Sequence, residues 1–379
     1  MHRGSSVPAA IDSAAAILTV NLRALADNWR LLSWQVAPGR CGAVVKANAY
    51  GLGAEAVVRA LLRAGCREFF VALVDEGVCL REALGTAWPI DARLHVLHGP
   101  VPGAEPDCIA HGLVPVLNSL HQVERWQAQA RIAGHVLPAA IQIDTGMARL
   151  GLSSIDFDQL VSRTGALDGV LPTLIMSHLA SAEDASDPTS LLQLERFRSV
   201  RALLPGASGC LANSSGIFLG RAFHFELCRP GAALYGVAPV VGEPNPMSPV
   251  VRVQARMIQW RDVSVGEPVG YNHTWRAIRP SRIATVSVGY ADGFLRSGSN
   301  RAQLRFEGIA VPIVGRVSMD TVTVDVSDVP VDRLIPGSLF DVLDDVQDIN
   351  VLADQAGTNA YEILTSIGAR YRCLYTNDQ

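Results

Sequence analysis

The sequence has few charged residues and no excess of positive charge. Charged residues make up 18% of the 379 positions, and 32 Lys and Arg against 36 Asp and Glu give a formal net charge of −4. Nucleic acids and anionic membrane surfaces attract proteins with a basic excess, so this balance argues against either as the main partner. Uncharged apolar runs such as 69–74 and 169–176 fall far short of the roughly 20 residues of a membrane-spanning helix. We therefore expect no membrane segment.

The chain also lacks paired cysteines and a signal peptide. Its seven cysteines are odd in number and contain no Cys-x-x-Cys pair, which argues against both a disulfide framework and a thiolate zinc site. No cluster of His, Cys or carboxylate residues has metal-ligand spacing, so we predict no metal. The N-terminus reaches an apolar run only at 14–20, without a convincing cleavage site. These features predict a protein of the reducing cytoplasm.

Short β-rich runs alternate with helical periodicity between about residues 40 and 236. Helices are predicted at 53–64, 119–132 and 189–204, and in the last of these the spacing of Leu191 and Leu194 predicts a buried face. Eight runs are predicted as strands: 43–45, 69–73, 94–97, 113–117, 139–143, 169–176, 208–212 and 223–227. This alternation favours an α/β protein with an N-terminal (β/α)8 TIM-like barrel. An open doubly wound sheet is the alternative, but no Gly-x-Gly-x-x-Gly follows the first strand.

A proline-rich segment at about 239–249 marks the predicted end of this domain. Beyond it, short strands with turn signals are predicted at 250–260, 282–288, 303–306, 309–314, 321–325 and 339–343, with helices at 349–356 and 360–366. The sequence therefore predicts a barrel over 1–238 and a C-terminal mainly β domain over 239–379. The N-terminal strand at about 14–20 is expected to join the β domain.

Four polar positions follow predicted barrel strands, where the loops of such barrels build active sites. Lys46 follows the first strand, His178 the sixth, Asn213-Ser214 the seventh and Arg229 the eighth. A desolvated lysine has a lowered pKa and can form a Schiff base with an aldehyde, although buried lysines also serve in structural ion pairs. The Asn213-Ser214 turn and Gly231 offer groups suited to a phosphate, although such turns are often simple helix caps. Together these features suggest pyridoxal 5'-phosphate (PLP).

Five segments carry a resemblance to a known family. They are 43–51 (AVVKANAYG), 144–151 (DTGMARLG), 229–236 (RPGAALYG), 289–293 (GYADG) and 315–320 (GRVSMD). Their order and spacing resemble the motif set of bacterial alanine racemases, which are PLP-dependent enzymes of fold type III. The resemblance extends over about residues 14–374. It implies interconversion of L-alanine and D-alanine, supply of D-alanine for peptidoglycan, and a head-to-tail homodimer in which each barrel shares an active site with the partner's β domain.

The resemblance also implies roles for individual residues. Lys46 would bind the cofactor covalently, and Tyr271 would be the second catalytic residue, contributed by the other subunit. Residues expected to contact the cofactor, including the Asn213 turn described above, are Tyr50, His178, Asn213, Ser214, Arg229, Gly231 and Tyr361. Among these, Arg229 would face the pyridine nitrogen and His178 would link Arg229 to Tyr271.

The substrate would be held by Arg149 and by the Met319 amide, with Tyr290 at the entrance. Racemisation removes the α-proton from one face and returns a proton to the other, so two acid-base groups must stand on opposite faces. Lysine and tyrosine suit this work because their ordinary pKa values are close, at about 10.4 and 10. Asp320 is expected either to support the Met319 contact or to cap the turn after it.

Three positions depart from the commonest family pattern. Gln142 stands where many members have a carbamylated lysine, and we expect its uncharged amide oxygen to orient Arg149 more weakly. Leu52 and Cys210 stand where some members have histidine. Neither change removes an essential proton carrier.

Other functions remain possible from the sequence alone. Gln142 leaves open a broad-specificity or serine racemase on the same scaffold. A decarboxylase of the related barrel fold is less favoured, because Tyr271 and Arg229 suit racemisation. A cofactor-binding regulatory protein with a bare barrel would not need a β domain that carries Tyr271 and Met319.

Overall fold

The structure, a computed structural model, describes residues 13–377. The chain divides into two compact units. One unit, the barrel unit, spans Ala24–Ser248. The other, the β unit, combines the chain up to Arg23 with the chain from Pro249 onward. Strand β1 (Ala16–Asn21) belongs to the β unit.

The barrel unit alternates strands and helices along its length. Its strands are β2 (Arg40–Cys41), β3 (Ala43–Val44), β4 (Glu68–Val71), β5 (Arg93–Val96), β6 (Leu113–Leu117), β7 (Leu137–Gln142), β8 (Val170–Met176), β9 (Ser208–Cys210) and β10 (Leu227–Cys228). Its helices, of which the first begins in the other unit, are α1 (Leu22–Val36), α2 (Lys46–Tyr50), α3 (Ala54–Ala64), α4 (Val74–Leu84), α5 (Glu105–Ala110), α6 (Leu120–Ala133), α7 (Ser154–Ser162) and α8 (Thr189–Arg201).

Strands β3 to β9 form a parallel sheet of seven strands in chain order. Strand β10 pairs in parallel with β2, which directly precedes β3. Backbone bonds join the segment of β10 to both ends of this sheet: Gly42 N–H, before β3, donates to the Cys228 carbonyl (2.8 Å), and Arg229 N–H donates to the Ala212 carbonyl after β9 (3.0 Å). These bonds close the sheet and confirm the predicted TIM-like barrel.

The eighth strand is not where the sequence predicted it. Residues 223–227 were expected to form it, but Arg221–Phe223 is a short 3-10 turn and the strand is Leu227–Cys228. The intervening His224 is buried, and its Nε2 lies 2.8 Å from the Ile217 carbonyl. This segment therefore packs as a buried turn before the chain enters the sheet.

The burial of its strands explains why the barrel could be predicted from the sequence. All residues of β4 and of β6 are buried. Parallel strands covered on both faces read as continuous apolar runs rather than as alternating patterns. Such runs are what the sequence shows at 69–73 and 113–117.

The β unit is mainly sheet, as predicted. Its further strands are β11 (Val251–Val263), β12 (Pro268–Val269), β13 (Trp275–Arg276), β14 (Ser281–Val286), β15 (Gln303–Phe306), β16 (Ile309–Pro312), β17 (Val322–Asp325), β18 (Leu339–Leu343) and β19 (Arg372–Thr376). Strand β1 lies between β11, to which it is antiparallel, and β19, to which it is parallel. Helices α9 (Ile349–Ala356) and α10 (Ala360–Ser366) have the predicted bounds. No helix within residues 13–377 is long and apolar enough to cross a membrane.

Candidate active site

Lys46 follows the short strand β3 by two residues and begins a left-handed turn. Residues 47–50 have φ values of 52 to 55° and Gly51 has a φ of 87°, so α2 is a left-handed turn. For residues with a side chain, left-handed helical backbone costs roughly 1–2 kcal/mol each. The turn is closed by bonds from Gly51 N–H to the Ala47 carbonyl and from Gly53 N–H to the Asn48 carbonyl, both 2.9 Å.

The carboxylate of Glu76 holds this turn against the next loop. Glu76 Oε1 accepts a bond from Ala47 N–H (2.6 Å). Its Oε2 accepts from Ala72 N–H (2.7 Å) and Leu73 N–H (3.1 Å), at the start of α4. One side chain thus fixes the loop after β3, which carries Lys46, to the loop after β4.

The surroundings of Lys46 favour its neutral amine. Burial lowers the pKa of Lys46, and the positive charges of Arg149 and Arg229 lower it further, while Glu76 opposes them. A neutral amine is the form that attacks an aldehyde. Lys46 is also the only lysine in the chain, so no other side-chain amine can react with an aldehyde.

Arg229 is buried at the base of the same rim. Its guanidinium donates to the Ser177 carbonyl, to the Leu211 carbonyl (3.2 Å) and to His178 Nδ1 (2.8 Å). Its Nε donates to no described residue and remains available for an acceptor such as a ring nitrogen. Burial, followed by the charges of Arg229, Arg149 and Lys46, lowers the pKa of His178 well below its ordinary value. His178 is therefore a neutral acceptor at Nδ1, with its proton on Nε2.

A concave group of polar atoms lies beside the Lys46 turn. The Ser214 hydroxyl accepts bonds from Gly231 N–H (3.0 Å) and Ala233 N–H (3.1 Å). A Cβ at position 231 would collide with the Tyr50 hydroxyl, so glycine lets that hydroxyl approach the backbone. Asn213 Oδ1 accepts from Gly216 N–H (2.9 Å) and closes the adjoining turn. Hydroxyls and backbone amides in such a cradle fit a phosphate.

Arg149 stands on a loop that Asp144 stabilises. The Asp144 carboxylate accepts from the N–H groups of residues 146–148 at 2.8 to 3.1 Å. Burial opposes ionisation, but these bonds and Arg196 hold the pKa of Asp144 below its ordinary value. The Arg149 side chain is exposed at the end of this loop.

The expected bond between Gln142 and Arg149 is not present among the described residues. Gln142 is buried, and its amide nitrogen donates to the Leu150 carbonyl (3.3 Å). Gln142 therefore supports the loop through the backbone at Leu150. The prediction concerned the amide oxygen of Gln142, so the weaker orientation of Arg149 stays a prediction.

The remaining predicted residues belong to the β unit. Tyr271, Tyr290 and Met319 are 66%, 43% and 53% exposed. Tyr290 N–H and Ala291 N–H donate to the carbonyls of Ser318 (3.0 Å) and Met319 (2.9 Å), which brings the loops of Tyr290 and Met319 together. Tyr361 lies in the first turn of α10.

Asp320 makes an ion pair rather than a turn cap. Its Oδ1 accepts from Arg370 at 2.6 Å. The same guanidinium donates to both oxygens of the buried Asp292, at 2.7 and 2.8 Å. Asp292 in turn accepts from Gly289 N–H (2.9 Å). Arg370 thus joins the loops that carry Tyr290 and Met319.

Comparison with known proteins identifies the family. The profile described as "Alanine racemase, N-terminal domain" matches residues 20–239, and that described as "Alanine racemase, C-terminal domain" matches residues 250–375. The chain belongs to the alanine racemase family. A relative from Rhodospirillum rubrum named alanine racemase is 50% identical over 96% of this chain and 96% of its own. One from Mesorhizobium japonicum named "Alanine racemase, catabolic" is 46% identical over 97% and 95%.

Solved structures of this family share the fold. The alanine racemase of Bartonella henselae, described with covalently bound pyridoxal phosphate, has a TM-score of 0.90 at 41% identity. The comparison covers 96% of this chain and all of that one.

Family motifs pointed to most of these site positions, but sequence reasoning missed three supporting residues. Glu76, Gln193 and Arg370 touch the backbones or side chains of the loops that carry the predicted site residues. Each is a common polar residue that bonds to at least one loop distant along the chain. No sequence pattern distinguishes them from exposed polar residues. Among residues 13–377, no cluster of His, Cys, Asp and Glu could hold a metal ion.

Proposed function

We propose that this chain is a PLP-dependent alanine racemase. The observation that carries the proposal is the grouping, within the barrel unit, of the only lysine, a buried arginine and the hydroxyl and backbone amide groups at Ser214 and Gly231. The relatives named alanine racemase and the PLP-bound structure from Bartonella henselae support the same chemistry.

The barrel residues supply the kinds of groups that would hold the cofactor. Lys46 would react with the aldehyde, and Tyr50, Ser214 and Gly231 would hold the phosphate, with the Asn213 turn beside them. Arg229, fixed by two carbonyls and His178, would donate from its Nε to the pyridine nitrogen. Tyr361 would be a further phosphate contact.

Two acid-base groups carry out the proton transfers. When bound, PLP supplies the aldehyde to which alanine is attached and a conjugated ring that spreads the negative charge left at the α-carbon. Lys46 removes the proton from D-alanine, and Tyr271 removes it from L-alanine on the opposite face. The lowered pKa of Lys46 keeps a larger fraction of this amine ready to act as a base.

Arg229 limits side reactions. A guanidinium remains protonated and donates to the pyridine nitrogen, so that nitrogen stays without a proton of its own. Arg229 would therefore leave the ring less electron-withdrawing than a carboxylate at the same place would. This favours return of the proton to the α-carbon over transamination.

The substrate contacts come from two places. Arg149 binds the alanine carboxylate, and the Met319 amide N–H, which donates to no described residue, provides a second bond to it. Tyr290 lines the entrance and Asp320 supports the Met319 loop through Arg370. Gln142 supports the Arg149 loop through Leu150.

The active unit is a homodimer in which Tyr271, Tyr290 and Met319 serve the partner's barrel. The exposure of these three side chains in a single chain supports this arrangement, because exposed apolar and aromatic groups mark interaction surfaces. We place the activity in the cytoplasm, since all seven cysteines are free thiols. There it supplies D-alanine for peptidoglycan.

Exchange of the α-proton for solvent deuterium tests the function. L-alanine, L-serine and L-lysine are incubated side by side with the enzyme in D2O, and exchange and optical rotation are followed. We expect alanine to be the best substrate, and Lys46→Ala to lose at least about a hundredfold in rate while keeping its melting temperature. Faster exchange of serine would replace the proposed substrate, and an active Lys46→Ala would overturn the mechanism.

A further inference from the structure

Neighbouring loops at the active-site rim of the barrel are joined in pairs by single helix side chains. Glu76 on α4 joins the loops after β3 and β4. Gln122 on α6 joins the loops after β5 and β6: its Nε2 donates to the His98 carbonyl (2.9 Å) and its Oε1 accepts from Asn118 N–H (2.7 Å). Gln193 on α8 does the same for the loops after β7 and β8.

The side-chain amide of Gln193 is buried, and both its nitrogen and its oxygen form hydrogen bonds. Only 1% of the residue is exposed. Its Nε2 donates to Thr145 Oγ1 (3.1 Å) and to the His178 carbonyl (2.9 Å), and its Oε1 accepts from Ala180 N–H (2.8 Å). Both N–H donors of the amide are therefore satisfied. A buried amide that lost these partners would leave polar groups unsatisfied on both loops, at a cost beyond that of the bonds themselves.

The contacts of Gln193 continue toward both sets of proposed site residues. Thr145 Oγ1 lies 2.7 Å from Ser177 Oγ, and the Ser177 carbonyl accepts from Arg229. Thr145 also follows Asp144 in the loop that ends at Arg149. The carbonyl that Gln193 holds on the other loop is that of His178, whose ring accepts from Arg229.

We propose that Gln193 is a positioning residue of the racemase site. It fixes the loop of Arg149, which binds the substrate carboxylate, relative to the loop of His178, which orients Arg229 at the cofactor ring. This inference rests on the proposed function for the roles of Arg149 and Arg229. The pairing of the loops itself rests only on the contacts above.

Replacement of Gln193 by methionine tests the proposal, with Gln122→Met as a matched control. Methionine keeps the approximate length but removes the bonds. The control removes the same kind of link at the same rim, from two loops that carry no proposed site residue. In the holoenzymes, we expect Gln193→Met to raise the KM for alanine about tenfold and to change the visible spectrum of the cofactor, because small displacements of binding groups have large kinetic effects.

We expect Gln122→Met, which removes the bonds of a half-buried amide, to change KM less than about twofold although it also lowers the melting temperature. Equal effects of the two variants on KM would show that Gln193 acts through general stability and would overturn the proposal. An unchanged KM and spectrum in Gln193→Met would do so as well.

Hydrogen exchange gives a readout that does not depend on the substrate. In Gln193→Met, exchange should accelerate together in 144–151 and 177–180, and in Gln122→Met it should not. If the wild type does not racemise alanine, the proposed function is wrong. The hydrogen-exchange measurement still shows whether Gln193 joins the two loops. Acceleration confined to one loop would mean that Gln193 does not join the two.

Discussion

Lys46 is distinguished from every other cationic residue in this chain by its chemistry. The sequence contains 31 arginines and one lysine. A guanidinium does not lose its proton in proteins, whereas a partly buried amine does. Reaction of a side-chain amine with a carbonyl compound is therefore confined to position 46. The lysine count is a signal for the site that is available in the sequence and independent of the family motifs.

The reactivity of this single amine should depend on Arg149. The pKa of Lys46 is lowered by burial and then by the charges of Arg149 and Arg229. In cofactor-free protein, acetylation of Lys46 should therefore have its pH midpoint below the ordinary lysine value of about 10.4. The positive charge of Arg149 repels the protonated amine of Lys46. Arg149→Met removes this repulsion, so it should raise the pKa of Lys46 and shift the midpoint upward. Peptide mass spectrometry at a series of pH values measures it.

Arg131→Met serves as the control for this measurement. Arg131 lies in the last turn of α6 and does not contribute to the shift at Lys46. Its replacement should leave the midpoint where it is. A downward shift in Arg149→Met, or equal shifts in both variants, would contradict the electrostatic account.

The burial of Gln193 could not be predicted from the sequence. The hydrophobic spacing of α8 predicted Leu191 on the buried face, but Leu191 is 59% exposed and Gln193 is buried. Periodicity counts apolar residues and treats glutamine as exposed. The buried amide of Gln193 donates to Thr145, which is 48 residues away along the chain. Only the fold brings such pairs together.

At the scale of elements, buried strands were predictable and short or strained ones were not. The long apolar runs placed β4 to β8, and α9 and α10 have their predicted bounds. Strands β2, β12 and β13 were not predicted, because two residues are too few to carry a pattern. The equally short β3 lies within the predicted run 43–45. The left-handed turn after Lys46 was also unpredicted, because alanine and tyrosine have no preference for that backbone. Bonds to Glu76 and within the turn hold it.

Glycine substitution should reveal the strain in this turn. Ala47 has a φ of 52° and is exposed, so Ala47→Gly removes a steric cost without removing a buried side chain. We expect the free energy of unfolding to stay level or rise by up to about 1 kcal/mol. Ala128→Gly, in the right-handed helix α6, should lower it by about 1 kcal/mol. Denaturant unfolding measures both, and an equal loss in the two variants would show that position 47 is not strained.

At the scale of the whole molecule, the proposed catalytic groups are divided between two units. Lys46, Arg149 and Arg229 belong to the barrel unit, and Tyr271 and Met319 belong to the β unit. The low overall charge of the chain conceals this local cluster of cations, which suits a phosphate and a carboxylate. The family motifs pointed to both sets of residues, but no pattern within one sequence shows whether the two proton carriers of a site come from the same copy.

Mixing two inactive variants shows whether Lys46 and Tyr271 of one site come from the same chain or from two chains. Lys46→Ala lacks one base and Tyr271→Phe lacks the other. If each site takes Lys46 from one chain and Tyr271 from its partner, a mixed dimer contains one intact site and one that lacks both groups. Random reassociation of equal amounts makes half of the dimers mixed, so about a quarter of the wild-type activity should return. A mixture of Lys46→Ala with Lys46→Met, which restores no site, provides the background. Activity no higher than this background, with mixed dimers demonstrated by two affinity tags, would place both bases of a site in one chain.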